Sequence, residues 1–91
     1  MWGASMPRIS MFYGILIQMY WDEHSPPHFH ASYNGCNGSI DIKRLIMTEG
    51  DLPKRALKLT LDWAALHQQE LLADWELCQK RLAPNKIDPL P

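Results

Sequence analysis

The sequence predicts an α+β domain: a small antiparallel β-sheet of three or four strands, built by the N-terminal half, packed against one kinked or two consecutive C-terminal α-helices. Three observations predict it. Short apolar runs with period-two alternation fill residues 9–43. Turn-forming Gly, Asn and Pro separate those runs. From residue 51 to residue 82 the apolar spacing changes to threes and fours, with no glycine and no proline after Pro53.

Residues 9–21 are β-branched, aromatic or long apolar types, and Gly14 in their midst suits a turn or bulge better than a helix. This reads as two strands or one bent strand. In the second piece Ile15, Ile17, Met19 and Trp21 share one face and Leu16, Gln18 and Tyr20 the other, so the Ile15 side is the core face. Asp22-Glu23-His24-Ser25-Pro26-Pro27 is a loop in which two prolines fix φ, and the chain leaves it extended.

Alternation then resumes, with Phe29, Ala31 and Tyr33 on one face and His28, His30 and Ser32 on the other. The turn signal Asn34-Gly35-Cys36-Asn37-Gly38 is followed by an alternating segment in which Ile40 and Ile42 point inward, which makes a hairpin. Directly opposed residues share a face, so placing Phe29 and Ala31 with Ile40 and Ile42 requires opposed numbers to sum to an odd value. That rule puts Asp41 among His28, His30 and Ser32. Leu45, Ile46 and Met47 form a short apolar piece that suits a further strand, broken at Thr48-Glu49-Gly50-Asp51.

Asp51 followed by Pro53 is a good helix start, because a side-chain oxygen can cap free N–H groups and proline costs little in the first turn. Leu57, Leu61, Ala64, Leu71, Trp75, Cys78 and Leu82 follow helical spacing with Gln68 at the missing step, and Ala56, Leu59, Trp63 and Leu66 widen the stripe. About 30 residues rising about 1.5 Å each would make a rod of about 45 Å. That exceeds a domain of this size, so a break is expected near residues 67–70. The tail Pro84-Asn85-Lys86-Ile87-Asp88-Pro89-Leu90-Pro91 is an extended arm.

Composition bounds the function. At 91 residues, 46% of them hydrophobic, the chain fits one domain over residues 6–91, with residues 1–5 a patternless extension and Met6 a natural start. The formal net charge of -1 gives no bulk field toward nucleic acid or an anionic membrane. Cys36 and Cys78 read as free thiols, and with no leader or membrane span the expected location is the cytoplasm.

Three of the four histidines, His24, His28 and His30, fall within seven positions beside Asp22 and Glu23. A strand-borne His-x-His places two imidazoles on one face about 6 to 7 Å apart at Cα, close enough to ligate one ion, and His24 on the stiffened loop is the candidate third ligand. Such an open site would hold a divalent metal such as zinc, with Asp41 as the carboxylate behind the ligands, and would activate a bound water for hydrolysis. A metal-free reading uses the same imidazoles as acid and base for cleaving a phosphodiester, with Tyr33, Lys43 and Arg44 holding phosphate. The plainest alternative is structural: Phe29 packs in the core, and the histidines hydrogen-bond across the outer face or meet a partner. Lys54, Arg55 and Lys58 could contact a phosphate backbone, although Glu49, Asp51 and Asp62 dilute their field. Trp63 and Trp75 read as core. Trp21, beside the histidine loop, suits either core or an exposed contact.

The residues Met6-Pro7-Arg8-Ile9-Ser10, Gly14-Ile15-Leu16-Ile17, His24-Ser25-Pro26-Pro27-His28-Phe29-His30-Ala31 and Gly50-Asp51-Leu52-Pro53, the span from Trp63 to Trp75 and the closing Lys86-Ile87-Asp88-Pro89-Leu90 resemble a bacterial family, the domain of unknown function 4160. The resemblance spans nearly all of residues 6–90. It implies no established activity. It does imply a stand-alone domain encoded beside another small protein, and hence a protein partner in a two-gene regulatory or toxin-antitoxin-like system. Three functional expectations follow: a protein-interaction module, which also admits a homo-oligomer; a small histidine-dependent hydrolase or nuclease, with or without metal; and a nucleic-acid-binding module.

Overall fold

The computed structural model describes residues 7–91; the extension at residues 1–5 and the start at Met6 lie outside them. Five strands form one antiparallel meander in the order β1-β2-β3-β4-β5, one or two strands more than the sequence predicts: β1 (Arg8–Phe12), β2 (Ile15–Gln18), β3 (His28–Tyr33), β4 (Cys36–Asp41) and β5 (Ile46–Gly50). Two helices follow, α1 (Lys54–Leu66) and α2 (Gln68–Gln79). The added strand starts at Ile46 and Met47 of the apolar piece, with Leu45 left in the turn before it. It runs on through Thr48 and Glu49 because a bulge between Ser39 and Ile40 lets the ladder absorb one extra residue.

Two hairpins share one turn geometry but not one sequence. Between β3 and β4 the turn residues are Asn34 (φ 46) and Gly35 (φ 81), the pair favoured where both central residues are left-handed. Between β1 and β2 the same geometry is adopted by Tyr13 (φ 50) and Gly14 (φ 79), with the Tyr13 hydroxyl donating to the Pro91 carbonyl at 2.7 Å. A second bulge, between Arg8 and Ser10, turns both Ile9 and Ser10 inward.

The β3–β4 register pairs Phe29 with Ile40, His30 with Ser39 and His28 with Asp41, as the odd-sum rule requires. One face of the sheet carries Ile15, Ile17, Phe29, Ala31 and Ile40, all fully buried, against the helices, where Trp63 meets Phe12 and Phe29 at ring separations of 5.2 and 5.7 Å. The other face carries Gln18, His30, Ser39 and Glu49 in one cross-strand row.

The helical segment breaks at His67, whose N–H bonds to the Ala64 carbonyl, as the length argument expects; the described chain measures 33 × 26 × 24 Å. The break changes which residues are buried. In α1 the inner row is Ala56, Thr60, Trp63 and Ala64, while Leu57 and Leu61 are half-buried and Leu66 is exposed. A stripe counted through one continuous helix loses phase at the break. Leu82, beyond the end of α2, is also exposed. The expected Asp51 cap is absent: Pro53 occupies the N-cap, with no side-chain hydrogen bond. Gln68, at the interrupted step of the stripe, donates to the Ile42 carbonyl at 2.8 Å.

The arm is extended but not loose. Ile87 is buried and its N–H bonds to the Ile9 carbonyl, the Trp63 indole N–H donates to the Asp88 carbonyl, and the Asn85 N–H donates to Asp74. Cys36 and Cys78 are free thiols. No described helix is long and apolar enough to cross a membrane.

Candidate metal centre

Strand alternation places His28 and His30 on one face of β3, and the loop over residues 19–27 folds back across them. The Tyr20 ring stacks on His30 at 4.2 Å and 18°. Trp21 is half-buried and donates its indole N–H to the Leu82 carbonyl, Asp22 pairs with Arg81 at 2.6 Å, and the Gln79 side chain donates to the Glu23 carbonyl at 2.9 Å. These contacts fix the loop against the end of α2. Trp21 is thereby tied down by the chain itself.

The result is a three-residue cluster. Oε1 of Glu23 lies 2.6 Å from Nε2 of His30 and 3.2 Å from Nε2 of His28. One ligand atom from each of Glu23, His28 and His30 falls within 4.8 Å of the others. All three side chains are partly buried, and His28 also packs against the Trp75 ring at 5.2 Å. Nδ1 of His28 is 2.9 Å from the Pro26 carbonyl, which can only accept, so Nδ1 carries a proton. Nε2 of His28 is thereby the ring nitrogen turned toward the Glu23 carboxylate.

His24, the expected third ligand, is exposed and stands outside the cluster; it lines an adjoining cleft of about 300 Å³ together with Pro26, His28, Ser39, Asp41, Arg44 and Glu49. Asp41 shares the face of His28, as the register argument requires, but is not the carboxylate behind the imidazoles. Its Oδ1 accepts the N–H groups of Lys43 and Arg44, and its Oδ2 accepts Nε of Arg44 at 3.0 Å. The turn needs those bonds: Leu45 closes it in a left-handed conformation (φ 56). Burial pushes the Asp41 carboxyl up, but the Arg44 N–H and guanidinium and the Lys43 N–H outweigh burial and hold it below its ordinary value. Lys54, Arg55 and Lys58 lie in the first turns of α1, away from the cluster; Lys58 is paired with Asp62 at 2.8 Å, and Arg55 lines a separate cleft with Tyr13 and Tyr33.

The family model for "Domain of unknown function (DUF4160)" matches residues 14–76. The chain belongs to that family. The DUF4160 match contains Glu23, His28, His30, Asp41 and Arg44, whereas residues 6–10 and 86–90, which contribute to the sequence resemblance, lie outside it. No curated protein and no solved structure matches the chain.

Sequence reasoning passed over Glu23 as a member of this cluster. Its signal was its place in the acidic pair before His24, but nothing local separates it from Asp22. Asp74 was also missed: on α2 it occupies a helical step between Leu71 and Cys78, and it is buried with Oδ2 lacking a partner among the described residues. Burial, offset by the Asn85 N–H and reinforced by Glu70, pushes its carboxyl up to about 6. Burial and then Asp74 push the Cys78 thiol up to about 11.

Proposed function

We propose that this domain binds a divalent metal ion through Glu23, His28 and His30, beside the cleft that His28 also lines, and that the ion supports hydrolysis. The observation that carries this reading is the convergence of both Nε2 atoms on one Glu23 oxygen while the Pro26 carbonyl holds His28 in the tautomer a metal requires. Two imidazoles and one carboxylate with a vacant fourth position are a donor set used by hydrolytic zinc, and the same facial set also serves non-haem iron. Bonds of about 2.0–2.1 Å at tetrahedral angles separate ligand atoms by about 3.3 Å. The His28 distance already fits; His30 and Glu23 would part by less than about 1 Å.

The test is metal content and calorimetric titration of protein purified without a histidine tag. One zinc per chain is expected, lost when Glu23, His28 and His30 are replaced together by alanine. Absence of binding at micromolar zinc would remove the reading. Hydrolysis by the metal-loaded form is then assayed on ester and phosphodiester substrates against the same triple variant.

A second reading, the protein-interaction module, rests on a different observation. Strand β5 ends the sheet, and Ile46 on it is 43% exposed. A sheet edge is a template for an added strand from a partner, such as a protein encoded nearby in a two-gene system. Mixing with that gene product would advance its elution volume. Unchanged elution at micromolar concentrations rules against it.

A further inference from the structure

We infer that the cleft beside the metal cluster takes a phosphoryl group, one oxygen on the ion held by Glu23, His28 and His30 and another on the Arg44 guanidinium. The inference rests on the metal reading above and names what the site would recognise.

Arg44 is an exposed side chain held by an unusually complete set of contacts. Asp41, only 2% exposed, takes the Arg44 backbone N–H at 2.8 Å on Oδ1 and the Arg44 Nε at 3.0 Å on Oδ2, so one buried carboxylate fixes both ends of the residue. The Leu45 N–H closes the turn onto the Asp41 carbonyl at 2.9 Å, with Leu45 at φ 56. A guanidinium has five N–H donors in a rigid fork, and Asp41 uses one, so the terminal nitrogens stay available to a planar or tetrahedral oxyanion. Asp41 is the direct cross-strand partner of His28, which places Arg44 one side chain from a metal ligand, and Arg44, His28 and His24 line the same cleft. Lys43, next in sequence, is not among its walls.

Charge makes this binding conditional. The cleft's Arg44 is offset by Asp41 and Glu49, and Glu23 adds a further negative charge at the cluster. Without metal the site repels an anion. A divalent ion cancels that excess and supplies a direct ligand bond, so anion binding is coupled to metal binding.

The probe is phenyl phosphate, titrated calorimetrically into metal-free and zinc-loaded protein. Binding is expected only in the zinc-loaded form. Arg44→Ala is expected to weaken it at least tenfold with unchanged zinc affinity, and Lys43→Ala to leave it unchanged. Arg44→Lys keeps the charge but cannot hold Asp41 and an anion together, so an intermediate loss is expected; its circular dichroism melt guards against misreading a folding defect. Zinc uptake without phenyl phosphate binding, or equal affinity in wild type and both Arg44 variants, overturns this inference alone. Failure to take up zinc overturns the metal reading and this inference with it.

Discussion

Glu23 and His30 meet at 2.6 Å, the carboxylate coming from a loop and the imidazole from the middle of the sheet, with the Tyr20 ring stacked on the imidazole. The loop is thereby clamped to the strand at the point where a metal would sit. A metal bound there would therefore add to the stability of the fold.

Saturating zinc, at about 100 times its dissociation constant, is expected to stabilise the fold by about 2.7 kcal/mol. For a domain of this size that raises Tm by roughly 10 °C or more. Glu23→Gln and His30→Ala should abolish the shift, and a chelator should reverse it. Thermal melts with zinc and with chelator check this.

Asp74 predicts an inverted pH dependence. Its folded value of about 6 lies above its ordinary 3.8, so the unfolded chain gives up this proton first and its contribution to stability falls as pH rises from about 4 past 6. Asp74→Asn mimics the protonated form and still accepts the Asn85 N–H. It should match wild type near pH 4 and exceed it at pH 7.5 by on the order of 1–2 kcal/mol in urea titrations.

Asp41 behaves oppositely. Its carboxyl is held below its ordinary value, so its stabilising effect is present above 3.8 and lost as pH falls below that value. Asp41→Ala leaves the turn's N–H groups unpaired and should cost about 1–3 kcal/mol at neutral pH. The difference from wild type should shrink in denaturation curves taken at progressively lower pH.

The two thiols should react unequally. Cys78 is fully buried, with its thiol pushed up to about 11, whereas Cys36 is half-buried in the β3–β4 hairpin. A thiol reagent is expected to modify Cys36 alone in the native protein and both residues in denaturant. Native modification of Cys78 would contradict the packing of α2.

Gly50 and Gly35 both have left-handed φ values, 85 and 81, but different surroundings. A methyl at Gly50 would lie 2.1 Å from the Asn37 carbonyl oxygen, whereas one at Gly35 meets nothing within 4 Å. Gly35→Ala should cost about 1 kcal/mol from backbone strain. Gly50→Ala should cost clearly more in the same denaturation assay, because backbone must move.

Much of this molecule is decided by local geometry and so is legible in the residues alone. Period-two alternation puts His28 and His30 on one side of a strand, the parity of cross-strand pairing brings Asp41 to that side, and the length of an uninterrupted helix forces the break at His67. The third member of the cluster is decided in another way. Glu23 reaches the imidazoles because Gln79 holds its carbonyl and Arg81 takes Asp22 away, contacts spanning 56 and 59 residues of chain. Asp41, although correctly placed, is turned from the histidines by the N–H groups of its own turn. Backbone periodicity assigns a side chain to a face. Which partner it meets there depends on segments remote in sequence, and only the folded chain brings those together.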